Sequence, residues 1–119
     1  MENICRLRRI FSTVYRLERD IKKKFGITAN EIMVLCLLNA IKLSAGELSK
    51  EMGISESRMS KIIDSLEKKG YILREINKDD KRKMIFSITD KGKEKVREFA
   101  ESDIEVPDID IEKISNLIC

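Results

Sequence analysis

The sequence predicts a mainly α-helical fold with a small β-hairpin wing: a winged helix-turn-helix with N- and C-terminal dimerisation helices. Three observations lead there. Apolar residues recur at three- and four-residue steps through much of the chain. Ser44 and Ser55 open two successive helices, with Gly53 in the turn between them. Beyond the second of these, Tyr71–Ile76 and Met84–Ile88 alternate like half-buried strands around the polar tip Asn77–Lys83. The 119 residues, 42% hydrophobic and 38% charged with 1 Pro and 5 Gly, suit one domain spanning 1–119.

Each element has its own signal. Ile4, Leu7, Phe11, Val14, Ile21 and Phe25 form an amphipathic stripe, widened by Ile10 and Leu17, on a helix that should end before Gly26. That stripe is long for a small core, which points to a partner chain. Thr28-Ala29-Asn30-Glu31 reads as a capping box opening a second helix that is apolar on most sides, with Cys36 among its core positions. Ser44-Ala45-Gly46-Glu47 is a second capping box, opening a short helix that Gly53 stops. Ser55 caps a fourth helix with Met59, Ile62, Ile63 and Leu66 on one side. After the wing, Thr89 caps a fifth helix containing Val96, Phe99 and Ala100. Pro107 breaks the chain, and Ile109, Ile111, Ile114, Leu117 and Ile118 form a last short apolar stripe.

Composition excludes several functions. With no His, the commonest general base, the Ser/His and Cys/His nucleophile pairs and most catalytic zinc sites are lost. Neither GxxxxGK nor GxGxxG is present, so no enzyme, cofactor or metal centre is expected. No apolar run approaches the ~20 residues of a membrane helix, and the first residues lack a secretion signal's apolar centre. A cytoplasmic protein with no membrane partner is expected.

The net charge of +3 conceals segregation. Met1–Lys24 carries 8 basic and 3 acidic residues, and Ile54–Arg97 carries 13 and 8. Glu98–Cys119 carries 1 and 7. A basic central segment suits a polyanion, because neutralising phosphates releases counterions. On the fourth helix the stripe opposite the apolar one is Ser57, Lys61, Asp64 and Lys68, flanked by Arg58, Ser60 and Ser65. Lys and Ser there suit base edges in a major groove. Arg58 occupies the third helical position, where the two preceding caps have Glu, and leaves that helix end better suited to a phosphate. The hairpin tip sets Lys78, Lys81, Arg82 and Lys83 against Asp79 and Asp80, a placement suited to a minor groove. Asp80 stands two residues before Arg82, positioned either to orient its guanidinium or to cap the turn. Few aromatics are available for stacking bases, which favours duplex DNA over single strands.

Read together, Leu48-Ser49, the run Ile54–Ile72, Leu66-Glu67-Lys68-Lys69-Gly70, Arg74, Asp80-Lys81-Arg82 and Ile88-Thr89-Asp90-Lys91-Gly92 resemble the MarR family of regulators. The resemblance implies a homodimeric transcription regulator on a pseudo-palindromic duplex. Its DNA-binding lobe would be 27–92 and its dimerisation helices 1–25 and 93–119. The DNA-contacting set would be Ser55, Ser57, Arg58, Ser60, Lys61, Ser65, Arg74, Lys78, Asp80, Lys81 and Arg82. Ile4, Leu7, Phe11, Val14, Ile111, Ile114, Leu117 and Ile118 would pair the subunits. Lys81 replaces the first Arg of the family's wing motif, keeping charge and losing a planar fork. The fifth helix and tail are short for the family. Many such regulators release DNA on binding a small effector, for which Tyr15 and Arg16 are the candidate contacts. Arg6, Arg8 and Arg9 would favour a thiolate at Cys5, in the manner of thiol-sensing relatives. Two other readings stand beside this one: a winged helix docking an acidic protein, and a thiol-switched sensor.

Overall fold

Side-chain oxygens fix where three of the helices begin. In the computed structural model, which describes residues 1–107, Ser44 Oγ accepts from the Glu47 N–H at 3.2 Å. Glu47 Oε1 in turn accepts from the Ser44 N–H at 3.0 Å, completing the expected capping box. Ser55 Oγ accepts from Arg58 N–H at 3.2 Å, and Thr89 Oγ1 from Gly92 N–H at 3.1 Å. The elements run α1 Glu2–Phe25, α2 Ala29–Ala40, α3 Ala45–Met52, α4 Glu56–Lys68, β1 Ile72–Ile76, β2 Met84–Ile88 and α5 Asp90–Ala100. Ile109, Ile111, Ile114, Leu117, Ile118 and Cys119 lie outside the described residues.

The described residues divide into two compact units, 1–29 with 103–107, and 30–102. In the first, α1 buries Cys5, Arg9 and Ile21. Ile4, Leu7, Phe11, Val14 and Tyr15 are exposed along it, and the Phe11 and Tyr15 rings meet edge to face at 5.9 Å. Lys24 pairs with Asp103.

In the second unit, α3 and α4 form the helix-turn-helix. Gly53 turns the chain between them with φ 69°, a left-handed conformation that a side chain would strain. Leu48 of α3 and Met59, Ile63 and Leu66 of α4 are buried with Val34, Leu35 and Leu38 of α2. Each such side chain contributes about 1.5–3 kcal/mol by leaving water. Cys36 does not join them. It is exposed because Val34, Leu35 and Leu38 take the buried side of α2, leaving Met33 and Cys36 on its open side.

The wing is an antiparallel hairpin in the register Ile72↔Ile88, Leu73↔Ser87, Arg74↔Phe86, Glu75↔Ile85 and Ile76↔Met84. Leu43 adds a bridge to β2, donating to Phe86 O and accepting from Phe86 N at 3.4 and 2.8 Å. At α5, Gly92 is required by close approach: a Cβ there would stand 2.4 Å from Tyr71 O and 2.6 Å from Ile88 Cγ1. The first turn of α5 is thereby pressed onto the base of the wing.

Candidate nucleic-acid interface

The caps and the apolar stripe of α4 set its outward face. With Met59, Ile63 and Leu66 buried, Ser57, Arg58, Ser60, Lys61, Asp64 and Lys68 are exposed, as the helical period requires. Arg58, Lys61 and Lys68 make no ion pair among the described residues, so their charges face solvent uncompensated by direct contact. Ser55 spends its hydroxyl on the cap. Ser65 departs from the expected set. Its hydroxyl donates to Glu31 Oε2 at 2.8 Å, turning toward α2 because a buried carboxylate there needs donors.

The sequence reading gave that carboxylate to a capping box and did not find its partners Ser65 and Lys69. Glu31 is 3% exposed, and the Lys69 ammonium lies 2.9 Å from its Oε2 and 3.0 Å from its Oε1. Lys69 is bound a second time through its main chain, where its carbonyl accepts from Lys91 Nζ at 2.7 Å. Gly70 O accepts from Thr89 Oγ1 at 2.7 Å. The C-terminal end of α4 is thus held by α2 through side chains and by α5 through carbonyls. The available signal was one acid set directly before the apolar run Ile32–Leu38, since a charge so placed must find a partner.

Arg74 belongs to the support of the interface as much as to its surface. Its guanidinium donates to Glu67 Oε1 at 2.6 Å and lies 5.4 Å from the Phe86 ring centroid. The Glu67 carboxylate holds the Arg74 pKa above its ordinary value. Further along β1, Glu75 accepts from Lys42 Nζ at 2.9 Å and from Ser87 Oγ at 3.0 Å, and is held below the usual carboxylate range by Lys42 first and Ser87 second. Lys83 stands 3.5 Å from Glu47 Oε1. Glu47 is also held low, chiefly by the Ser44 N–H. The wing is therefore fastened to α4 by one ion pair and to α3 and its approach by two more.

The tip itself is preset by two Asx turns. Asn77 Oδ1 accepts from Asp79 N–H at 2.9 Å, and Asp80 Oδ1 from Arg82 N–H at 3.1 Å. Asp80 Oδ1 also lies 3.5 Å from Arg82 Nε, so this acid both caps the turn and orients the guanidinium. The Arg82 side chain is 93% exposed, with Lys78 and Lys81 exposed beside it. The structure brings Ser57, Arg58, Ser60 and Lys61 together on one helix, and Lys78, Asp80, Lys81 and Arg82 together on one loop.

The remaining expected contacts lie in the first unit. Tyr15 and Arg16 are exposed on α1. Cys5 is buried and disulfide-bonded, so it is not the free thiolate expected from its arginine neighbours. No described helix is long and apolar enough to cross a membrane.

A helix-turn-helix with an open basic second helix and a fastened wing defines the winged-helix class of transcriptional regulators. The sequence profile of the MarR family matches residues 27–84. The chain is 31% identical over 92 residues to the HTH-type transcriptional regulator SarT of Staphylococcus aureus, covering 73% of this chain and 77% of that one. It superposes on a mutant of Escherichia coli MarR complexed with operator DNA with TM-score 0.69 and 25% identity, covering 76% of this chain and 68% of that one. Against Sco3205, a MarR family transcriptional regulator from Streptomyces coelicolor in complex with DNA, the TM-score is 0.74 and the identity 29%, covering 79% and 61%. The chain belongs to the MarR family and is a winged-helix transcriptional regulator. Neither the protein-docking nor the thiol-sensor reading is favoured by these likenesses.

Proposed function

We propose that this regulator binds a pseudo-palindromic DNA duplex as a homodimer, each subunit setting α4 in a major groove and its wing tip in the flanking minor groove. The observation that carries this reading is the pairing of two basic elements in one unit. Ser57, Arg58, Ser60 and Lys61 are open on α4, and Arg82 is open at the tip of a wing that Arg74 and Glu67 tie to that helix. In a docked helix-turn-helix the N-terminal part of the second helix meets base edges, and a cation at a hairpin tip meets a narrow groove's negative potential. Two of the relatives named above are seen on DNA, which supports the same reading here.

The exposed row Ile4, Leu7, Phe11 and Val14 supports the dimer, since a contiguous apolar stripe rimmed by charge is costly to leave in water. Tyr15 and Arg16, next along α1, offer an aromatic edge and a cation to an anionic aromatic effector. The test is selection of bound duplexes from a randomised pool. The expected product is an inverted repeat with half-sites about one helical turn apart. Recovery of no enriched sequence at moderate salt would sink the reading.

A further inference from the structure

The face of the wing that looks toward α4 ends in an apolar pair that the reading above leaves unused. Residues 72, 74 and 76 share one face with their partners 88, 86 and 84. At its root Ile72 and Phe86 are buried. At its middle Arg74 covers Phe86 and reaches Glu67 of α4. At its outer end Ile76 is 61% exposed and Met84 39% exposed, directly below the tip that carries Lys78, Lys81 and Arg82. An exposed apolar cross-strand pair does nothing for the hairpin's solubility.

We propose that Ile76 and Met84 form a contact for the deoxyribose wall of the minor groove, packing on the sugars of a DNA strand that passes between α4 and the wing. This rests on the proposed function. What occupies the pair must also accept the tip beside it, where Lys78, Lys81 and Arg82 outnumber Asp79 and Asp80. A DNA strand does both, because it alternates phosphates with sugars whose 2′ carbon carries no hydroxyl. The contact is continuous with the basic tip and faces the same helix, so one strand can meet all three.

The test compares wild type with an Ile76→Ser/Met84→Ser double variant on a mixed-sequence DNA duplex, titrated over a range of salt. Sugar contacts do not depend on base sequence, so no operator is needed. The variant should bind roughly tenfold more weakly, since it has less apolar area for DNA to cover. Its slope of log affinity against log salt should match wild type, because no phosphate-neutralising cation is removed. Both side chains are exposed, so circular dichroism and the unfolding midpoint should stay close to wild type. If the double variant loses its fold, Ile76→Thr alone keeps the β-branch and should weaken binding by roughly threefold at an unchanged slope. Unchanged affinity in the variant that folds, with wild type binding normally, overturns the inference and leaves the DNA reading intact. A variant that changes only its self-association overturns it in favour of a second copy as occupant. A wild-type chain showing no salt-dependent binding overturns both readings.

Discussion

The Arg74 guanidinium joins two elements at once: it donates to Glu67 Oε1 of α4 at 2.6 Å and lies 5.4 Å from the Phe86 ring of β2. Both partners of the ion pair remain partly open to solvent, so the pair contributes only about 0–1 kcal/mol to stability. Its consequence is geometric, since it ties the wing to the helix.

Arg74→Lys separates positioning from charge. Lysine keeps the cation but lacks the planar fork and the stack. If Arg74 acts by holding the wing, Arg74→Lys should weaken duplex binding nearly as much as Arg74→Ala. If it acts as a phosphate contact, the lysine variant should match wild type and its salt slope. Affinity and slope on one duplex, measured for all three proteins, distinguish the two roles.

Lys61→Ala and Arg82→Ala should fail differently. If Lys61 reads a base, Lys61→Ala should cost about 1–3 kcal/mol of binding and relax preference at one position in each half-site. Removing Arg82 from both subunits should lower the slope of log affinity against log salt by about 2 and weaken specific and scrambled duplexes alike. A salt titration of both variants on a selected and a scrambled duplex measures this. An Arg82→Ala protein identical to wild type throughout would show that the wing tip does not touch DNA.

Gly92→Ala should destabilise the fold. The new methyl group would meet Tyr71 O at 2.4 Å and Ile88 Cγ1 at 2.6 Å, so backbone must move. Overpacking of this kind costs about 1–3 kcal/mol. Chemical denaturation reads the loss directly, and an unchanged midpoint would contradict the close packing of α5 on the wing.

Acid should loosen the α3 cap and the wing. Glu47 is held low first by the Ser44 N–H, and Glu75 first by Lys42. Both therefore have folded pKa values below their unfolded ones. The stability they contribute is present above the ordinary value of 4.5 and is lost as pH falls through the lowered values. A Glu47→Gln/Glu75→Gln variant should show a shallower fall of urea midpoint below pH 4.5 than wild type. Parallel curves for the two proteins would remove these carboxylates from the acid response.

Leu7→Asp should separate the subunits. Leu7 is 55% exposed in the single chain, within the row Ile4, Leu7, Phe11 and Val14. A charge placed in an apolar interface loses hydration without a partner. Light scattering should report a dimer for wild type at micromolar concentration and a monomer for the variant, with α-helical content retained.

The helix-turn-helix, the wing and the outward stripe of α4 were legible in the sequence, because each rests on local signals. A capping serine, a stopping glycine and a 3.6-residue period determine where Ser57, Arg58, Ser60 and Lys61 point before any packing is known. The same local logic placed Asp80 against Arg82, two residues apart in a turn. Contacts between residues distant in sequence needed the tertiary structure. Ser65 lies beside the exposed stripe by angle alone, yet Glu31, 34 residues away, draws its hydroxyl inward. The contacts of Arg74 with Glu67 and Phe86, and the turning of Cys36 to the open side of α2, are likewise set by packing and carry no local signal. Periodicity gives the direction of a side chain on its own element. Which partner it meets depends on how the elements pack, since a buried charge or an ion pair forms only where that packing brings the two groups together.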